Sequence, residues 1–396
     1  MQPAVIKMVR RWMVLAMLGL LALGVPYFAA ASGPGGECHA EGDGDGREHA
    51  GEGPGGEAAE ERMCMMAEEA HMFGQIEEES ENLSFSGRFV EFSLSENMSA
   101  IEDYTMEVPE GTLLLESVVW GEVTGATYTV SGAHFRLTSD EVLVDAHNNP
   151  AAILMVRVYD SRDVVYTLPE GAKYTADERF VNMSIGDLEA VIIYVNATLS
   201  AEGGTLTFTP TSTPYHIIFR VVPAEGVAGH MWEREYTEAL KIRKAVGEMR
   251  IAISDGEHMA DQFAYRENVR MELKHAERNR VRIEVSGEGE GGVMLLQMNR
   301  EALQSRVRVY FDGEEVKEAE NLGEGLEATG EEPLYYSEPA EKGSQYFAVY
   351  IPHFSTHTIE IVGVEEWPLA DYLPYIAVGI VVLLVAAIFL ALRKRK

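Results

Sequence analysis

Between Leu83 and Val222 apolar and polar residues alternate in short runs: Ser84 to Leu94, Leu113 to Trp120, Thr127 to Ser131, Ile153 to Tyr159, Ala190 to Leu199, Thr205 to Thr209 and Tyr215 to Val222. Turn formers separate them, as in Pro109-Glu-Gly111, Asn148-Asn-Pro150, Pro169-Glu-Gly171 and Gly203-Gly204. A period of two, punctuated in this way and without a helical period, predicts an antiparallel β-sandwich or barrel. A stacked β-solenoid is the competing reading, but no fixed repeat supports it. From Gly229 the period lengthens. Trp232, Tyr236, Leu240 and, after a slip, Val246 recur at near-helical spacing and predict a helix of about four turns packed on a β-domain. Its charged face reads as solvated.

Alternation then returns. Val269, Met271 and Leu273 precede a turn at Glu277-Arg-Asn-Arg280, and Val281, Ile283 and Val285 follow it, which predicts a hairpin with one apolar face. Further strands are predicted at Val293 to Met298, Val307 to Phe311, Tyr346 to Ile351 and Thr358 to Val362, with a tight turn at Asp312-Gly313 and an acidic loop from Glu314 to Glu332. Gly287-Glu-Gly-Glu-Gly-Gly292 is too acidic to hold phosphate and reads as a hairpin loop.

The two ends are apolar instead. Tyr375 to Leu392 carries no charge, and its eighteen residues would make a helix of about 27 Å, close to the hydrocarbon thickness of a bilayer. Arg393 to Lys396 place the C-terminus on the cytoplasmic side, and Trp367, Tyr372 and Tyr375 suit the opposite interface. Near the N-terminus Lys7, Arg10 and Arg11 precede an apolar stretch ending in Ala29-Ala30-Ala31, the form of a secretory signal cut after Ala31, with an uncut signal anchor as the alternative.

The expected fold class is therefore mainly β: two extracellular antiparallel β-sandwich-like domains with a connecting helix, an N-terminal signal helix and a C-terminal transmembrane helix. The boundaries are 1–31 signal, 32–82 acidic Gly/Glu-rich linker with a short Met-rich helix at Met63 to Phe73, 83–228 first domain, 229–262 helical connector, 263–364 second domain, 373–392 transmembrane helix and 393–396 basic tail.

Charge sharpens this picture. Seven of the 32 Lys and Arg lie in the two apolar ends, which hold no acids, so the remainder carries 25 cations against 64 acids, or −39. Such a surface excludes nucleic acid as a partner and favours basic ones. Two cysteines, Cys38 and Cys64, are too few to build a scaffold, so the domains rest on apolar cores.

Candidate chemistry is sparse. Cys38, His39, His49, Cys64 and His71, with neighbouring methionines, make a soft donor set suited to copper or zinc capture, although no tight ligand spacing is present; a Cys38–Cys64 disulfide is the simpler use of the thiols. Asn82, Asn97, Asn182 and Asn196 head glycosylation sequons. His353 and His357 point the same way on a strand but stand about 13 Å apart along it, which disfavours joint ligation and leaves His353 a hydrogen-bonding role at a strand end. His-Glu-x-x-His, Gly-x-Ser-x-Gly and phosphate-loop signatures are all absent from the sequence. A carboxylate pair in residues 83–222 would be required for an envelope hydrolase.

One stretch carries a family likeness. Val281-Arg-Ile-Glu-Val-Ser286, Arg308-Val-Tyr-Phe-Asp-Gly-Glu314, Ala319 and Ile351-Pro-His-Phe-Ser-Thr-His-Thr-Ile-Glu-Ile361 together resemble the C-terminal β-module of secreted, membrane-anchored archaeal surface proteins, which ends in a Pro-His-Phe-Ser stretch before a last strand and anchor helix. The likeness covers about 100 residues, the size of one domain. It implies an archaeal envelope location and a β-sandwich, and no activity. The expected protein is a single-pass, non-enzymatic surface protein with a structural, adhesive or ligand-binding role. It needs no cofactor, and its partner outside the cell is a glycan or a protein.

Overall fold

The chain is mainly β and its sheets are predominantly antiparallel. The computed structural model describes residues 72–79, 83–107, 111–222, 230–254, 257–299, 302–303, 306–339 and 343–364, and five isolated helical positions at 378, 382, 385, 386 and 393. Among the described residues no helix is long and apolar enough to cross a membrane. The signal 1–31 lies outside them, as does all of the span 373–392 except four of those positions.

The period-two stretch folds into two eight-stranded sheets. In the first, the neighbours run Ile76–Glu79, Ser84–Gly87, Val90–Leu94, Ala100–Met106, Thr112–Val119, Val164–Thr167, Thr205–Pro210 and Ala197–Glu202. The second runs Lys173–Ala176, Phe180–Ile185, Leu188–Val195, Tyr215–Val222, Leu154–Val158, Val142–His147, His134–Thr138 and Thr127–Ser131. Alternation aims one set of side chains from each sheet into a shared core. There Phe85 and Phe92 of the first sheet meet Phe135 of the second at ring-centroid distances of 4.6 and 5.1 Å. The linker predicted to reach residue 82 ends earlier. Met72 and Phe73 are buried, and Ile76–Glu79 pairs with Ser84–Gly87, because these apolar residues find a hydrophobic site beside Ala133 and Ala252. Residues 63–71 of the Met-rich helix lie outside the described residues.

The helix His230–Lys241 follows, shorter than the predicted connector 229–262. Ala245–Ser254 and Glu257–Ala264 are strands, since Val246, Met249, Ile251 and Ile253 are all buried in the core of the next sheet. That third sheet has nine strands. Its path is Glu257–Ala264, Ala245–Ser254, Arg280–Asn299, Ser344–Val364, Arg306–Phe311 and Glu314–Glu315; Val269–Glu277 pairs with Arg280–Asn299, and Leu334–Pro339 with Ser344–Val364 and Lys317–Glu318. Two pairings are parallel, Ala245–Ser254 with Arg280–Asn299 and Lys317–Glu318 with Leu334–Pro339.

Gly287–Gly292 is not the predicted hairpin loop but the middle of the single long strand Arg280–Asn299, with a bulge between Ser286 and Gly289. Its glycines serve close approach, because a Cβ on Gly291 would stand 1.9 Å from the Ile351 carbonyl oxygen. The predicted acidic loop contains a short helix, Leu322–Glu327, whose Asn321 cap accepts a hydrogen bond from the Glu324 N–H at 2.9 Å while Glu324 accepts from the Glu320 N–H at 2.7 Å.

The second sheet is thus covered on both faces. Its outer residues Ile153, Met155, Val191 and Ile218 share a core with Trp232 and Tyr236 of the helix and with Phe263, Val293 and Tyr346 of the third sheet. Trp232 lies stacked against both Tyr336 and Tyr346, at centroid distances of 5.5 and 5.3 Å.

Candidate functional site

Where the helix meets the second and third sheets, four ions are buried together. Arg220 projects from Tyr215–Val222, Glu233 from the helix, and Glu248 and Arg250 from Ala245–Ser254. Arg250 donates to Glu233 at 2.8 Å and to Glu248 at 3.2 Å. Arg220 donates to Glu233, to Glu248 at 3.1 Å, to Thr237 at 2.7 Å and to Tyr265 at 2.8 Å. The charges balance two against two, which offsets their loss of hydration. Burial alone would raise the Glu233 pKa, but Arg250 and Arg220 outweigh it and hold this carboxyl below its ordinary range. The polar face of the helix, predicted to be solvated, is instead partly buried, with Glu233 and Thr237 inside.

Beside this network opens a cleft of about 1150 Å³. Ile193, Val195 and Ile218 form one wall, Leu240 and Ile242 come from the end of the helix and the residue just past it, Tyr265 directly follows Glu257–Ala264, and Tyr350 and Pro352 belong to the third sheet. Arg243, Lys244, Arg266, Glu267, Glu290 and His353 supply charge and hydrogen-bonding groups. Ile242 is 64% exposed, so an apolar side chain waits at the lining without cover. Arg266 donates to the Glu290 and Gly291 carbonyls at 2.9 and 3.2 Å, and Lys244 to the Glu327 carbonyl at 2.6 Å, which fixes both stems in the wall. Burial lowers the pKa of His216, whose Nδ1 lies 3.4 Å from Glu267. The two tyrosines are almost fully covered and offer little open ring face.

A third polar arrangement lies on Ser344–Val364. His357 is hydrogen-bonded through Nδ1 to Asp312 Oδ2 at 2.7 Å and through Nε2 to Ser355 Oγ at 2.9 Å, while Asp312 Oδ1 accepts from the Thr358 N–H at 2.8 Å. Burial would raise the Asp312 pKa, but the bond from His357 and the Thr358 N–H lower it. The rings of His353 and His357 are only 5.1 Å apart between centroids, nearer than an extended strand predicts. The expected separation is one of backbone positions, and the two rings lean toward each other across it.

No family model matches the chain, and no curated protein matches it. Among solved structures it is similar to an active YidC insertase crystal structure, at 14% identity and a TM-score of 0.27, over 38% of this chain and 40% of that one. It is also similar to a GH31 alpha-xylosidase from Xanthomonas citri, at 9% identity and a TM-score of 0.14, over 73% of this chain and 33% of that one. The chain therefore spans well under half the length of either, and likeness at this level carries no argument about fold or activity.

The predicted donors Cys38, His39, His49, Cys64 and His71 lie outside the described residues, as does the sequon residue Asn82. Asn97 is exposed, and its side-chain oxygen accepts from the Ser99 hydroxyl at 2.6 Å. Asn182 is half-buried within Phe180–Ile185, and Asn196 Nδ2 donates to the Pro214 carbonyl at 2.9 Å. Sequence reasoning missed the buried ion network and also a cluster of His134, Asp145, His147 and Asp261. The spacing Asp145-Ala-His147, which puts both side chains on one face of a strand, was the available signal for the latter.

Proposed function

We propose that this chain is a single-pass, membrane-anchored archaeal surface protein, non-catalytic and displayed outside the cell, whose junction cleft binds an extended segment of a partner protein. The observation that carries the binding role is the cleft itself. At about 1150 Å³ it exceeds the usual span of roughly 300–1,000 Å³ for small-molecule sites. It joins apolar walls and an uncovered Ile242 to charges of both signs, a mixture suited to a peptide, whereas an oligosaccharide would want open aromatic faces that Tyr265 and Tyr350 do not offer.

Display outside the cell rests on other grounds: the apolar run closed by four cations, the signal-like N-terminus, the sequons and the Pro-His-Phe-Ser module. The hydrolase reading has less support, because the carboxylates on the cleft wall, Glu267 and Glu290, both belong to the third-sheet region and not to residues 83–222.

The test uses the full chain in detergent and a displayed library of linear peptides. Selected binders should lose at least tenfold in affinity on Ile242→Asp, and none on Thr129→Asp at an exposed strand remote in sequence from the cleft lining. Absence of binders, or binders indifferent to Ile242→Asp, would overturn the peptide reading. Turnover of a polysaccharide or peptide by the pure protein would overturn the non-catalytic one.

A further inference from the structure

We propose that His134, Asp145 and His147 form a binding site for a divalent cation of the zinc class, built into the face where the second sheet meets the third. The three side chains lie on two adjacent strands, His134–Thr138 and Val142–His147, whose register sets His134 directly opposite His147 and Arg136 opposite Asp145. Val142, Val144 and Ala146 fill the core between the first two sheets, so the alternate residues Asp145 and His147 face away from it. One ring nitrogen of each histidine and one oxygen of Asp145 lie within 4.8 Å of one another.

The hydrogen bonds around the cluster leave a donor atom free to ligate on His147 and on Asp145. Asp261, from Glu257–Ala264 of the third sheet, places its Oδ1 2.6 Å from both His134 Nε2 and His147 Nδ1, while its Oδ2 accepts from Asn149 at 2.7 Å. A carboxylate accepts only, so both of those nitrogens carry hydrogen, and each imidazole in its neutral form presents its lone pair at the other one. For His147 that is Nε2, which is buried and has no hydrogen-bond partner. Asp145 Oδ1 is likewise buried and unpartnered, while its Oδ2 is held by Arg136 at 2.5 Å.

His147 is 0% exposed and Asp145 3%, so leaving both atoms unsatisfied is costly unless something joins them. They stand 3.6 Å apart, too far for a good hydrogen bond. Two ligands of one tetrahedral ion, each about 2.0 Å from it, lie about 3.3 Å from each other, which this pair reaches by a shift of a few tenths of an ångström. Imidazole and carboxylate are donors that zinc accepts, and a carboxylate holding the outer nitrogens is the usual support for histidine ligands. Because Asp261 comes from the third sheet, an ion here would tie the two parts of the molecule together.

Cobalt(II) is the probe, because its visible bands report ligand number and type. The full chain is titrated in a background carrying Cys38→Ser, Cys64→Ser, His39→Ala, His49→Ala and His71→Ala, which removes the thiol and imidazole donors near the N-terminus. The expected result is saturable uptake of one ion, with four- or five-coordinate bands and no thiolate charge transfer. Affinity should fall about 10–100-fold or more in Asp145→Asn and in His134→Ala. His134 is partly exposed, so if Asp145→Asn does not fold, His134→Ala decides alone. No bands at millimolar cobalt, or bands unchanged by these substitutions, would overturn the proposal.

Discussion

Arg250 Nη2 lies 2.8 Å from Glu233 Oε1 in a site where neither side chain is more than 2% exposed. The pair joins the helix to the first strand of the third sheet, and Arg220 extends it to the second. Its strength depends on completeness. Removing one acid leaves two guanidinium groups sharing Glu248 alone.

The first prediction follows. Glu233→Ala should lower unfolding free energy by about 3–5 kcal/mol, as expected when one partner of a buried ion pair is lost. Urea denaturation followed by Trp232 fluorescence measures it, since that indole sits between two tyrosines one residue away on the same helix. Glu233→Gln keeps the shape and should cost part of this. Because Arg250 and Arg220 depress the Glu233 pKa despite burial, its contribution is fully present above the unfolded carboxyl value of about 4.3 and is lost as pH falls through the lower folded value.

A second prediction concerns high pH. Burial, with Glu318 adding to it, pushes the Tyr335 phenol up to about 12, and burial raises Tyr104, Tyr166 and Tyr346 as well. A phenol that ionises more easily unfolded than folded favours the native state below about pH 10, the unfolded value, and that advantage disappears as pH rises toward the folded value. Stability should therefore fall steeply between about pH 10 and 12. Midpoints of thermal unfolding across that range, read beside tyrosinate absorbance near 295 nm, would check it. Exposed tyrosines such as Tyr159 titrate first, so only part of the absorbance should wait for unfolding, and complete titration of all the tyrosines before unfolding would contradict the burial of these rings.

Sequence reading succeeded where one face of an element decided its fate. Thr127–Ser131 and Tyr215–Val222 match their predicted bounds, and the turn at Asp312-Gly313 forms with both residues at positive φ. It failed where long-range contact overrode the local signal. Met72 and Phe73 close the stretch that reads as a short Met-rich helix within the linker, yet find an apolar site supplied by Ala133 and Ala252, far along the chain. Gly287–Gly292 looks like a loop because nothing local tells that its backbone will lie against Ile351 and Pro352. Charge is just as ambiguous. Glu233 and Arg220 read like ordinary surface residues, and only the approach of three elements makes them an interior network. His134 and His147 are thirteen positions apart, and the strand pairing that sets them opposite is not written in their spacing.

That glycine run gives the third prediction. Gly291→Ala should cost several kcal/mol or abolish folding, since its Cβ would fall 1.9 Å from the Ile351 oxygen and 2.3 Å from the Pro352 oxygen, both backbone atoms of a paired strand. Gly313→Ala meets nothing within 4 Å, and its φ of +88° exacts only backbone strain, about 1 kcal/mol. Soluble yield and chemical denaturation of the two variants should separate them clearly. Equal behaviour would mean that the two long strands are not in this register.

The fourth prediction ranks the sequons. Asn97 is exposed in a turn, and its amide oxygen already accepts from the Ser99 hydroxyl, the residue two positions on that defines the sequon. Asn196 is also exposed, but its φ of +61° and the bond from its Nδ2 to the Pro214 carbonyl tie up the atom that would carry a sugar. Asn182 is half-buried between two paired strands. Folded protein offered to an asparagine glycosyltransferase should therefore be modified at Asn97 well before Asn182 or Asn196. Site occupancy by mass spectrometry of proteolytic peptides measures this. Modification of Asn196 at the rate of Asn97 would show that its hydrogen bond to Pro214 does not hold the side chain in solution.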